Sequence, residues 1–324
     1  MHDENVYLMV VSVGPVQDFI AAARRTRDLW FGSYIMSELA KSVAKCLIDH
    51  QFNLIFPGYS QAELTAASSI GNVILAYCNT NKTLDFTDIT RKIKVAVQNK
   101  WLEFSNKTWD LIKHVFDPAQ LPSLLENWNH QIQDIIECYC AWTLLQDKTY
   151  AQARQRVMTL LDNRKMIRDF QPNLVTIITP QNYKSSLDGA RDAFFPLDGF
   201  DPLKFSEISL KIRLNKGERL SAIDLIKRLC VGAPTFPSLS RVAIDPWIRG
   251  IENSDNHDAK NILEQIKILS RDTRFATGTG SEYYQNFPFD GQYLFAGYRD
   301  WETDRKSTRL NSSHSAKSRM PSSA

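Results

Sequence analysis

Apolar residues follow two rhythms along this chain, and the switch between them predicts its elements. Val6 to Val13 is an apolar, β-branched run closed by Gly14-Pro15, the pattern of a buried strand ending in a tight turn. Pro15 has no N–H to leave unsatisfied, so a helix is predicted to open there and run to about Arg27. Gly32-Ser33 interrupts the pattern, and a second helix is predicted from about Tyr34 to Ile48. Ile35, Leu39, Val43 and Leu47 lie four apart on one face of it. Asn72 to Cys78 reads as a second strand and Leu54 to Phe56 as a short edge piece.

From Asp85 to about Asp147 the spacing is helical. Ile89, Ile93, Val97 and Trp101 recur at every fourth residue, and Leu125, Trp128, Ile132, Ile135, Tyr139 and Trp142 alternate spacings of three and four. These are the seams of an antiparallel helical pair, and the aromatic stripe reads as core rather than as a base-stacking surface. A further helix is predicted over Tyr150 to Arg168. Strands follow at Leu174 to Ile178 and Ile208 to Leu214, then helices at Ser221 to Leu229, from Ser240 to Arg249, and over Ser254 to Thr273. Thr277 to Gly280 opens a loop, and Tyr293 to Phe295 begins a last strand. The order of elements predicts an α+β fold with a long helical insertion.

Composition narrows this only a little. The chain has 324 residues, 43% hydrophobic and 23% charged, which suits two domains and excludes a disordered chain or a collagen-like repeat. Val6 to Val13 is too short to cross a bilayer, so a cytoplasmic protein without a membrane partner is expected. The five cysteines include no C-x-x-C pair, which argues for a reducing compartment and against a zinc ribbon.

The last residues change the charge. Asp304 to Ala324 has seven serines in 21 residues and no hydrophobic period. Read back through the genetic code, Asp304 to His314 and Ser318 to Ala324 fit the two ends of a short-read sequencing adapter. Residues 299–324 are therefore expected to be non-native, with the junction between Tyr298 and Asp304. Asp304 to Ala324 holds five Lys and Arg and one acidic residue; without those residues the formal charge moves from +3 to −1. No global electrostatic case for nucleic-acid binding survives that correction.

Several local arrangements could carry chemistry. At Ser12 to Gln17, a strand, a glycine-proline bend and a helix N-terminus meet. Unpaired N–H groups and partial positive charge could hold a phosphate there, with Gly14 allowing close backbone approach. The same residues could equally be a plain tight turn. Arg24, Arg25 and Arg27 with Lys41 form either a phosphate-facing surface or a solvated face paired with Asp28 or Glu38. The polar loop Lys184 to Arg191 could contact nucleotide or RNA, or cap a helix. His2-Asp3 and His257-Asp258 lack the further ligands that a metal-dependent hydrolase needs. Cys138 and Cys140, placed two apart on a helix, would point to different faces. No P-loop, Rossmann fingerprint, G-x-S-x-G, H-E-x-x-H or Gly-Gly-Asp-Asp occurs.

Taken in order, the motifs carry more than any one alone. GPVQDFIAAARRTRDLWFGSYIMSELA (Gly14 to Ala40) resembles the N-terminal signature of the large subunit of type III-B (Cmr-type) CRISPR effector complexes, the Cas-ten family. DNRKMIRDFQP (Asp162 to Pro172), KSSLDGAR (Lys184 to Arg191), GERLSAIDLIKRL (Gly217 to Leu229), FPSLSRVA (Phe236 to Ala243) and DGQYLF (Asp290 to Phe295) follow in the family's order. The resemblance implies a ferredoxin-like palm of nucleotide-cyclase type over residues 1–180. A smaller mixed α/β intervening domain over 181–298 would lead toward a second palm.

It implies more than a fold. The intact subunit would use ATP and a divalent metal, Mg or Mn, to make cyclic oligoadenylate once guide RNA and the other Cmr-type subunits engage target RNA. By position in the motif, Gly14, Pro15, Gln17, Ser33 and Ser37 are the expected nucleotide contacts. Arg24, Arg25, Lys184 and Arg191 are expected to touch phosphate or a partner. Three departures matter. The palm signature begins almost at Met1, so no HD nuclease domain is expected; the intervening loop has no cysteines, so no zinc is expected; and the Gly-Gly-Asp-Asp of the second palm is missing. Catalytic residues and metal ligands are therefore expected to be none here, and the chain inactive alone. The rival reading is a non-enzymatic scaffold with a degenerate palm that docks other subunits and guide RNA. A stand-alone diguanylate cyclase would need an acidic ligand at the end of the first strand, which Val13-Gly14 does not provide.

Overall fold

The computed structural model describes residues 5–67, 69–80, 84–133, 135–145, 149–167, 183–197, 212, 214, 217–231, 233 and 239–271. Met1–Ala233 and Pro234–Ala324 form two compact units. The first is built on one antiparallel sheet of order β2-β3-β1-β4. Its strands are β1 (Asn5–Gly14), β2 (Asn53–Phe56), β3 (Val73–Thr80) and β4 (Glu137–Leu144).

Central β1 is flanked by β3 and β4 and covered on both faces, which is why its sequence is apolar without alternation. Leu8 and Val10, with Leu75 and Ala141, face α6 (Tyr150–Met166) and pack on its Ala153, Val157 and Leu161. Met9, Val11 and Val13 are buried on the opposite side, where α2 (Thr26–Asp49) and α4 (Phe86–Ile112) cover the sheet. Ile35, Leu39, Val43 and Leu47 of α2 are fully buried, as their spacing predicts.

Two expectations fail, each for a tertiary reason. The helix expected from Pro15 to Arg27 is divided. The five-residue α1 spans Gln17–Ala21, and α2 begins at Thr26 and runs through Gly32 without a break. Gly32 is not a helix stop but a point of close approach: a Cβ there would meet Ile20 Cα of α1 at 3.4 Å. The second failure is larger. Ile135, Tyr139 and Trp142 do not continue the helix of Leu125, which stops as α5 (Leu121–Ile132); residues 137–144 form edge strand β4. The N–H and C=O groups of β1 that face away from β3 need partners, and only a strand can supply them in register. Trp101 and Trp128 are core, donating to Ile132 O at 3.0 Å and Ser105 Oγ at 2.8 Å. Trp142 is 39% exposed and stacks on Phe86 at 4.8 Å.

Because Cys138 and Cys140 lie on a strand, they share one face, contrary to the helical expectation. The two thiols influence each other: the neighbouring Cys140 thiol, with burial, raises the pKa of Cys138, and the Cys138 thiol lowers that of Cys140.

A short helix, α3 (Gln61–Ala66), carries a capping box from Ser60 and Glu63 between β2 and β3. After α6, Tyr183 to Phe195 folds back on the helices. Phe194 packs against Trp128 at 5.2 Å and Phe116 at 5.9 Å, and Leu220 exchanges backbone bonds with Phe195. Helix α7 (Ala222–Leu229) follows, opened by a capping box of Ser221 and Asp224. In the second unit α8 (Leu239–Glu252) and α9 (His257–Arg271) meet through Ile248 and Leu263. His257 and Asp258 open α9 with both side chains exposed. The strand expected at Leu174 to Ile178 lies outside the described residues. So do most of Ile208 to Leu214, Thr277 to Gly280, Tyr293 to Phe295 and residues 299–324.

Candidate functional site

The end of β1 is held from both sides. Val13 N–H donates to Asn72 O at 2.9 Å and Asn72 Nδ2 donates to Val13 O at 3.1 Å, while Gly14 pairs across to Glu137 of β4. Gly14 is half-buried. A Cβ on it would meet nothing nearer than Glu137 Oε2 at 3.7 Å, an ordinary contact. The bend is thus packed at ordinary contact distance against a carboxylate that sequence reasoning missed because it arrives on a strand read as a helix. Pro15 is half-buried, and Gln17 is exposed at the start of α1. The helix opens two residues later than expected and is five residues long, with Val16 at its N-cap and no side-chain cap.

The remaining expected residues divide. Ser33 is exposed on the second turn of α2. Ser37 is not presented to a ligand: it is buried, and its Oγ accepts the Ile70 N–H at 2.7 Å. Arg24 is exposed, and Arg25 Nη1 reaches Ile212 O at 3.5 Å. Lys41 pairs with Glu38 at 2.8 Å and donates to Ala67 O at 2.6 Å. In the polar loop Lys184 pairs with Asp192 at 2.7 Å and Arg191 with Asp188 at 2.7 Å, so that loop is closed on itself. Gly14, Pro15 and Gln17 are contiguous at the bend; Lys184 and Arg191 belong to the separate 183–193 loop.

Residues 8–106 match the family model described as CRISPR-associated protein Cmr2, N-terminal. That segment is similar to the Cmr2 N-terminal family. The match bears out the resemblance drawn from the motifs. No curated protein matches the chain in sequence. Among solved structures, a chain in the cryo-EM structure of the type III-B Cmr-beta complex bound to cognate target RNA matches with a TM-score of 0.55 and 14% identity. The match covers 90% of this chain and 43% of that one, so the chain spans less than half of that relative's length.

The Cmr2 segment runs from β1 into α4. It contains the bend, the exposed Arg24 and Ser33, and the buried Asp28, but not the groups that hold Asp28 in place. Arg228 of α7 grips Asp28 with Nε at 3.1 Å and Nη2 at 2.6 Å, and its Nη1 lies 3.0 Å from Glu218 Oε2. Lys227, the preceding residue, reaches α1. All four side chains are buried. Burial works against both cations. For Lys227 it wins and lowers the amine's pKa; for Arg228 the bonds to Glu218 and Asp28 outweigh it and raise the pKa. The motif GERLSAIDLIKRL holds Glu218, Lys227 and Arg228, but its spacing says nothing about their burial. Among the described residues, no group of three or more His, Cys, Asp or Glu is placed to hold a metal ion.

Proposed function

We propose that this chain is the N-terminal part of the large subunit of a type III-B CRISPR effector complex, and that its sheet is the first palm of a nucleotide cyclase. The Cmr2 match over residues 8–106 carries this reading. The topology supports the palm: four antiparallel strands in the order β2-β3-β1-β4, joined as β1–α2–β2 and β3–α4–α5–β4, follow the split β-α-β plan of ferredoxin-like folds. Helix α6 on the other face is an addition to that plan.

In this reading residues 181–298 are the intervening domain, and the bend at Gly14, Pro15 and Gln17 forms one wall of an ATP pocket. Ser33 and Arg24 are near in sequence, and Arg25 caps the start of α2. The described donor set does not suit a divalent metal: Glu137 borders the bend, and among the described residues no three His, Cys, Asp or Glu side chains converge. The metal-holding carboxylates are therefore assigned to a second palm elsewhere in the intact subunit, and no metal-dependent step is derived for these residues. The intact subunit would make cyclic oligoadenylate from ATP, in the cytoplasm, when the assembled subunits and guide RNA engage target RNA; this chain alone would make none.

Gly14→Val in the intact subunit, within a complex reconstituted with the other subunits and RNAs, tests the pocket. Valine suits a strand end, and the fold leaves room for its Cβ, so assembly and target-RNA binding should persist. Oligoadenylate formation should fall at least about tenfold, equivalent to about 1.4 kcal/mol. Unchanged synthesis would remove the pocket from the bend. A complex that assembles on RNA but makes no oligoadenylate with the wild-type intact subunit would favour the scaffold reading.

A further inference from the structure

Helix α1 is too short to hold itself, since isolated helices below roughly 12–15 residues are marginal in water. Its N-cap is the valine Val16, which offers no side-chain acceptor. Two apolar contacts anchor it within the Cmr2 segment: Phe19 lies edge-on to Trp101 at 6.0 Å, and Ile20 lies over Gly32. The polar anchor arrives from 208 residues away. Lys227 Nζ donates to Phe19 O at 2.9 Å and to Ala22 O, and lies 5.3 Å from the Phe19 ring centre. Its stem passes the same glycine, with Cδ 3.7 Å from where a Gly32 Cβ would stand. The nearest carboxylate oxygen is Asp224 Oδ1 at 3.8 Å.

The next residue performs the matching task on α2, where Arg228 clamps Asp28 in the first turn. Consecutive side chains of α7 therefore hold the helices on either side of the Ala22–Arg25 joint. Both are about 1% exposed. Packing alone would be served by leucine or methionine without desolvating two cations; what the cations add is a fixed geometry for the backbone they bind.

We infer that α7 is a clamp on the β1–α1–α2 joint, with Lys227 the residue that positions α1 and the bend before it. Its consequence for nucleotide rests on the reading proposed above, because the joint carries Gly14, Pro15, Gln17 and Arg24; the clamp itself does not. Lys227→Met keeps the stem and removes the donor. In the full chain, hydrogen exchange at residues 17–25 should speed at least about tenfold while β1 and β3 stay within about twofold, the mark of a local opening. Unchanged exchange at 17–25 in the folded variant, or equal acceleration in every element, would overturn the clamp.

Should Lys227→Met fail to fold, Lys227→Gln retains a neutral donor on a shorter stem. The same local pattern then supports the clamp, and a uniform or absent change sinks it. ATP titration of the complex reconstituted on the intact subunit separates the two ideas. Weaker ATP binding by the Lys227 variant joins clamp to pocket, whereas a wild-type complex that binds no ATP overturns the pocket and leaves the exchange result to judge the clamp.

Discussion

Asp28 and Arg228 are 200 residues apart in the chain and share a site closed to water. Removing one partner of such a pair strands the other charge, so Asp28→Asn is expected to lower stability by about 3–5 kcal/mol in urea unfolding. A loss below about 1 kcal/mol would mean that Glu218 alone suffices for Arg228. Cys230, which closes α7 in a left-handed conformation, supplies a pH test. Burial, with Glu38 nearby, pushes its thiol up from 9.0 to about 12. The folded state thus keeps the proton after the unfolded state has released it. The stability this contributes is complete below pH 9 and is lost as pH rises toward 12. The stability difference between wild type and Cys230→Ala should therefore shrink over that window in alkaline unfolding titrations. A difference that is flat with pH would contradict the burial of the thiol.

Among the elements, α6 and β4 show how local pattern and final structure part. Helix α6 was expected over Tyr150 to Arg168 and forms there; in the structure Thr149 and Gln152 cap its start, and Ala153, Val157 and Leu161 form a stripe that reaches β1 and β4. Leu161→Ala should cost about 2–5 kcal/mol, because the rigid sheet beneath cannot collapse into the gap. Thermal or urea unfolding measures it, and a negligible change would show that α6 does not seal that face. Strand β4 was not legible. In Glu137 to Leu144 the apolar residues fit helical spacing and a buried strand equally well, and nothing local chooses between them. The open hydrogen-bonding edge of β1 does.

For the whole molecule, the placement of α7 governs what can fold alone. A chain of residues 1–233 keeps the sheet, its helices and the Arg228–Asp28 clamp in one unit. It should unfold in one cooperative transition. A chain of residues 1–180 would leave Asp28 buried without Arg228 and the α1 carbonyls without Lys227. It should be less stable by at least about 3 kcal/mol, and equal stability of the two in urea would show that the clamp contributes little to the fold.

The amino-acid pattern by itself determined the buried strand at Val6 to Val13, the inner face of α2, the helices α6 and α7 and the Gly14 to Ala40 motif that lies within the segment similar to the Cmr2 N-terminal family. Each depends on neighbours within a few residues: an apolar period, a cap, a turn. Tertiary structure decided that Gly32 stays inside a helix, that residues 137–144 become a strand beside Gly14, that Ser37 turns inward, and that Lys227 and Arg228 are buried. Those outcomes depend on partners from 12 to about 200 residues away, and a glycine, an apolar run or a charged pair has no local property that names the distant group it will meet.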